Sequence, residues 1–216
     1  VSSSPLLASV LERRVFAVVR TETAEQAVAA SLACLRGGVG LLEVTLTVPG
    51  ALDVVARLAR EPDAQVGVGS VTEPKQVSAA AAAGARFSVS PHFDPDVLAE
   101  AKARGLLCAM GGVTATEVMT CHRAGVDVTK IFPAGAFGPG YLKALREPLP
   151  FLRLMPTGGV DESNIKAWLD AGACAVGLGS SLIDRKSLAT GDWAAVEQRA
   201  SRLARAAAAW AAARPR

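Results

Sequence analysis

The chain has 216 residues, half of them apolar, enough to bury one sizeable core without a second domain. Its 23 basic and 20 acidic residues leave a formal charge of +3; with one Tyr, six Phe and no basic stripe, they argue against nucleic-acid binding, while a mild positive balance suits small anionic ligands. The four cysteines, Cys34, Cys108, Cys121 and Cys174, are far apart and form no C-x-x-C pair, so they read as reduced, buried small hydrophobes.

His92 and His122 lie at no recognisable ligand spacing, and no metal is expected. The start lacks the basic and apolar regions of a signal peptide, and no apolar run reaches membrane-spanning length. The expectation is a soluble, cytoplasmic protein without a membrane partner.

In chain order, Ser4 as N-cap, Pro5 at the first helical position and the apolar spacing of Leu6, Leu7, Val10 and Leu11 predict a short leading helix. An apolar run over Val15–Val19 follows and ends in Arg20. Thr23 with Gln26 three later predicts a capping box for a helix that stops at Gly37-Gly38.

The same alternation recurs. Further strand-like runs are Leu41–Leu46, Val66–Val71, Phe87–Ser90, Leu106–Met110, Val128–Phe132, Leu152–Met155 and Ala175–Leu178. Helix starts are legible at Asp94-Pro95, at Thr114 with Glu117, and at Asp161 ahead of Ile165; the ends fall on Gly84, Gly105, Gly125 and Gly172, where a left-handed cap costs least. The alanines of Ala79–Ala83 belong to a close-packed helix, and a last alanine-rich helix runs from Trp193 to about Trp210 after Asp192.

About eight strands at intervals of roughly 20 to 26 residues, each followed by a helix, predict a single-domain (β/α)8 TIM barrel over 1–216. The strands lack polar alternation, as expected when both faces are buried. A doubly wound open sheet is the alternative, but no G-x-G-x-x-G fingerprint follows the first strand.

A barrel keeps its active site at the C-terminal ends of its strands, and the polar residues there form a coherent set. Arg20 ends the first strand, Glu43 and Thr45 lie in the second, Ser70 and Thr72 end the third, and Ser90-Pro91-His92 ends the fourth. Lys130 is in the sixth, Thr157-Gly158-Gly159 follows the seventh, and Gly177-Leu-Gly179-Ser180-Ser181 follows the eighth.

A lysine inside an apolar run either snorkels to solvent or enters a pocket that uses it, and Lys130 is the candidate nucleophile. Glu43 is a carboxylate that cannot be cheaply buried unless paired or used: an ion pair with a barrel cation is one reading, an acid/base partner for Lys130 the other. The two glycine stretches stand where barrels bind phosphate through backbone N–H groups, although glycines also serve ordinary turns.

Five segments, Leu42-Glu-Val-Thr-Leu-Thr-Val-Pro49, Val66-Gly-Val-Gly-Ser-Val71, Val89-Ser-Pro-His92, Lys130-Ile-Phe-Pro-Ala134 and Met155-Pro-Thr-Gly-Gly-Val160, resemble the class I 2-keto-3-deoxy-6-phosphogluconate (KDPG) and 4-hydroxy-2-oxoglutarate (KHG) aldolase family from about Val15 to Leu182. That family also includes aldolases for 2-keto-3-deoxy-6-phosphogalactonate. The resemblance implies a cofactor-free homotrimer of barrels that cleaves a 2-keto-3-deoxy-6-phospho sugar acid to pyruvate and an aldehyde through a lysine Schiff base.

It further implies Lys130 as Schiff-base former, Glu43 as general acid/base, Arg20 as a substrate-holding cation, Ser70 beside the pyruvate moiety, and Gly158, Gly159, Gly179, Ser180 and Ser181 as the phosphate loops. Thr45, Pro91 and Thr157 complete the substrate-facing set. Thr47, Met110-Gly-Gly and Gly135 depart from the commonest family pattern, and Ala136–Tyr141 is similar to the phosphogalactonate type. Rival readings are a phosphate-binding barrel isomerase or epimerase using Lys130 and Glu43 as acid and base, and a non-catalytic barrel that binds a sugar-acid phosphate.

Overall fold

Apolar runs bounded by glycine and proline produce eight short strands in the computed structural model, which describes residues 5–214. They are β1 (Val15–Val19), β2 (Leu41–Thr45), β3 (Gln65–Gly69), β4 (Phe87–Ser90), β5 (Leu107–Gly111), β6 (Val128–Ile131), β7 (Leu154–Pro156) and β8 (Val176–Leu178). All neighbouring strands are parallel, in the order β7-β6-β5-β4-β3-β2-β1-β8. A parallel bridge between Thr157 and Gly177 brings the two remaining edges together. The result is a nearly closed (β/α)8 barrel rather than an open doubly wound sheet.

Helix α1 (Pro5–Arg13) precedes the barrel. Its expected N-cap, Ser4, lies outside the described residues. Helices α2 (Ala24–Arg36), α3 (Ala51–Leu58), α4 (Pro74–Ala82), α5 (Pro95–Ala103), α6 (Ala115–Ala124), α7 (Gly138–Arg146), α8 (Ile165–Asp170) and α9 (Arg185–Thr190) follow the strands in turn, and α10 (Trp193–Ala212) closes the ring.

Although the strands are apolar on both faces, successive side chains alternate between two distinct environments. Val15, Ala17 and Val19 of β1 pack outward with Leu42 and Val44 of β2 and with helical residues such as Ala30 and Leu203. Phe16, Leu41, Phe87, Leu107 and Val128 form the other cluster, together with Leu6, Leu7 and Val10 of α1. Phe16 and Phe87 meet edge to face at 5.3 Å.

Helix α1 therefore plugs the N-terminal mouth of the barrel. Each large side chain packed there contributes about 1.5–3 kcal/mol. With that end filled, the C-terminal mouth is the end of the barrel left for chemistry.

The strand ends are shorter than their apolar runs suggest. Beyond β3, Ser70 takes a left-handed backbone with φ 63° and turns the chain out, so the strand does not continue to Val71. Leu46 and Phe132 fall outside β2 and β6, and β7 begins at Leu154 rather than Leu152. The Thr23 cap forms, its side chain accepting from the Gln26 N–H at 3.2 Å, but the box does not close: the Gln26 side chain accepts from the Glu22 N–H instead. The Thr114–Glu117 box is complete, and Gly84, Gly105, Gly125 and Gly172 all have positive φ.

At the outer rim Asp170 accepts from Lys166, from the Trp210 indole and from Arg214, which holds its carboxyl down at about 2 and ties α10 to α8. Cys34, Cys108 and Cys121 are buried, Cys174 is half-buried, and all four are free thiols. Burial raises Cys34 to about 12 and the other three to about 11. A thiolate-specific disulfide reagent at pH 8 is thus expected to leave the native protein unmodified and to titrate all four cysteines in denaturant; rapid modification of any one in the native state would contradict this packing.

Candidate active site

The alternation that points Val128 into the barrel also points Lys130 inward, and the one that points Leu41 inward does the same for Glu43 and Thr45. The Lys130 Nζ lies 3.2 Å from the Glu43 Oε1, and their side chains are only 9% and 1% exposed. Withdrawing two charges from water costs several kcal/mol per ion, so a pair this buried stands only with close mutual contact. The second carboxylate oxygen, Oε2, is buried and has no hydrogen-bond partner among the described residues. A proton acceptor with free lone pairs therefore sits beside an amine.

Gly69 makes the room. A Cβ there would fall 2.2 Å from the Glu43 Oε1 and 2.7 Å from its Cγ. The sequence motif contained this glycine, but its role depends on a contact between neighbouring strands that no local pattern reports.

Thr45 is fully buried; its Oγ1 donates to the Val19 carbonyl at 3.1 Å and shares a 2.8 Å hydrogen bond with the Thr47 hydroxyl. Ser70 stands in a left-handed conformation just past β3, the kind of backbone strain, of order 1–3 kcal/mol, that collects at functional sites. Pro91 is exposed and its carbonyl presses on β5, where a Cβ on Gly111 would meet it at 1.9 Å.

A cleft of about 610 Å³ opens over the ends of β1, β7 and β8. Arg20 lines it from the first strand and Thr157, Gly158 and Gly159 from the seventh, while Gly179, Ser180 and Ser181 line it from the eighth. Gly158 and Gly159 have φ 80° and 83°, and a Cβ on Gly159 would come 2.5 Å from the Cα of Gly135. The Thr157 Oγ1 is buried without a hydrogen-bond partner among the described residues, and the Ser181 hydroxyl donates to the Val160 carbonyl at 2.7 Å.

Lys130, Glu43, Thr45, Ser70 and Pro91 are not part of this lining. Phe132 links the two regions: its ring lines the cleft, and the Lys130 Nζ lies 5.7 Å from the ring centroid. Phe132 and Arg185 are two cleft residues that the sequence reading did not select. An aromatic two residues after the lysine was a usable signal for the first; a surface arginine at a helix start gave none for the second.

The family model for KDPG and KHG aldolase matches residues 7–199. The chain belongs to the KDPG and KHG aldolase family. It is 36% identical to the 2-dehydro-3-deoxy-6-phosphogalactonate aldolase of Escherichia coli, over 77% of this chain and 82% of the relative. It is 35% identical to the 2-dehydro-3-deoxy-phosphogluconate aldolase of Treponema pallidum, over 86% and 90%. Among solved structures, the KDPG aldolase of Legionella pneumophila, with pyruvate captured as a covalent carbinolamine intermediate, superposes with a TM-score of 0.84 at 28% identity, covering 91% of this chain and 97% of that one.

As a member of this aldolase family the chain is a carbon–carbon lyase. Gly69→Ala is expected to fold and to displace the Glu43 carboxylate from Lys130. If Glu43 moves protons in the reaction, turnover falls by about a hundredfold, the lower end of what a positioned acid/base supplies. Steady-state lyase rates with a circular-dichroism check of the fold measure this; unchanged turnover would mean the carboxylate position does not matter.

Proposed function

We propose that the chain is a Schiff-base aldolase that cleaves a 2-keto-3-deoxy-6-phospho sugar acid of the KDPG type to pyruvate and glyceraldehyde 3-phosphate, and cleaves 4-hydroxy-2-oxoglutarate to pyruvate and glyoxylate. The buried Lys130–Glu43 pair, with one carboxylate oxygen unpartnered among the described residues at 1% side-chain exposure, carries this reading.

The Lys130 ammonium passes a proton to the Glu43 carboxylate 3.2 Å away, and the freed amine attacks the C2 keto carbon to give a carbinolamine. Glu43 protonates the departing hydroxyl, and water leaves a protonated imine. Glu43 then takes the C4 hydroxyl proton; the C3–C4 bond breaks, the aldehyde departs, and the electron pair moves into the imine to form an enamine. Protonation at C3 and hydrolysis release pyruvate and restore the amine.

Ser70 and Thr45 face the keto-acid end, with Pro91 shaping the same rim. Arg20 and Thr157, together with the backbone N–H groups of Gly158, Gly159, Gly179, Ser180 and Ser181, hold the phosphate end. Fixing the remote phosphate orients the reacting bond, a contribution that can reach about 7–11 kcal/mol in well-aligned reactions.

The phosphogalactonate acid, which differs from KDPG in configuration at C4, is the second substrate reading, favoured by the Ala136–Tyr141 segment, which is similar to that type. The working form is a homotrimer in the cytoplasm. The family pattern supports the trimer, exposed Phe137 and Phe151 offer apolar surface for an interface, and four free thiols suit a reducing compartment.

Pyruvate release from the three keto acids, coupled to lactate dehydrogenase, ranks the substrates. Lys130→Ala is expected to abolish release. Glu43→Gln is expected to lower kcat by about 10²-fold or more while changing pyruvate affinity little. Equal losses in both would make Glu43 structural, and tight binding of a phospho acid without release of pyruvate would make the chain a binding protein.

A further inference from the structure

Four charged side chains line the cleft over β1, β7 and β8: Arg20, Glu22, Asp161 and Arg185. The Asp161 carboxylate is occupied within its own turn, accepting from the Ser163 hydroxyl and N–H and from the Asn164 N–H, and these bonds hold its pKa below the usual carboxylate value. It stays negative at neutral pH. Glu22 is exposed, and its carboxylate makes no hydrogen bond or ion pair with another described residue.

With Arg20 as its sole cation the cleft would carry a formal charge of minus one. That is a poor receptor for a phosphate dianion, whatever the backbone N–H groups around it supply. Arg185 brings the cleft to neutrality. Like Arg20, its guanidinium has no hydrogen bond or ion pair with another described residue, so its five donors remain available.

The acid next to it does not compete. Asp184 accepts from the Ser187 N–H at 2.6 Å and pairs with the Arg199 Nη1 at 3.1 Å, on the side of α10.

We infer that Arg185 is a specificity-determining residue: it is the second cation of the phosphate end and sets the preference for phosphorylated over unphosphorylated keto acids. The inference rests on the aldolase reading for the identity of the substrate, but the anion site itself can be tested without catalysis. A guanidinium offers phosphate a planar two-donor fork that an ammonium cannot reproduce, so lysine at this position should restore charge but not the full preference.

Two measurements on the full chain decide it. In calorimetry with glycerol 3-phosphate, a plain phosphate ester, Arg185→Ala is expected to raise Kd by about tenfold to a hundredfold, with Arg185→Lys in between. In steady-state cleavage, the ratio of kcat/KM for the phosphorylated acid to that for its dephosphorylated counterpart should fall by a similar factor in Arg185→Ala. An unchanged Kd, or equal losses on both substrates, would overturn the assignment. Absence of pyruvate release from either substrate by the wild-type protein would sink the aldolase reading instead and leave the phosphate site to be judged by calorimetry.

Discussion

A lysine and a glutamate 3.2 Å apart inside a barrel are the constraint around which the molecule is arranged. Neither side chain can be buried alone without a penalty of several kcal/mol, so each requires the other and both require space. Gly69 supplies that space on β3. The filled N-terminal mouth, with Phe16, Phe87 and the three apolar residues of α1, leaves the pair on the side open to ligand.

The Lys130–Glu43 pair and the cleft over β1, β7 and β8 are separate regions that share a backbone connection. Where the chain leaves the lysine strand, the Ala134 N–H donates to the Thr157 carbonyl at 2.9 Å and the Gly135 N–H to the Gly158 carbonyl at 2.8 Å. The Phe132 ring covers Gly158, whose Cβ, if present, would lie 3.3 Å from it. The segment that aims Lys130 is thus hydrogen-bonded to the turn that lines the cleft. Gly135 has its physical reason here: it lies against Gly159, and a side chain would have to displace that backbone.

Much of this could be read in the sequence, and the residues that could not share a cause. The apolar runs located every strand, and the glycines Gly84, Gly105, Gly125 and Gly172 located helix ends, because both signals are local. Which face of a doubly apolar strand points inward is not local, so Lys130 and Glu43 had to be selected by their cost of burial rather than by pattern. Strand ends were overextended where a single residue such as Ser70 turns the chain against its neighbours' apolar character. The roles of Gly69 and Arg185 depend on elements distant in sequence, an adjacent strand for one and three strand-end loops for the other, and no spacing rule carries that information.

The Schiff base is the most direct consequence of the pair. Reduction with borohydride in the presence of pyruvate, followed by intact and peptide mass measurement, tests it. One covalent adduct per chain, placed on Lys130, is expected. No adduct, or an adduct on any other lysine, would contradict it.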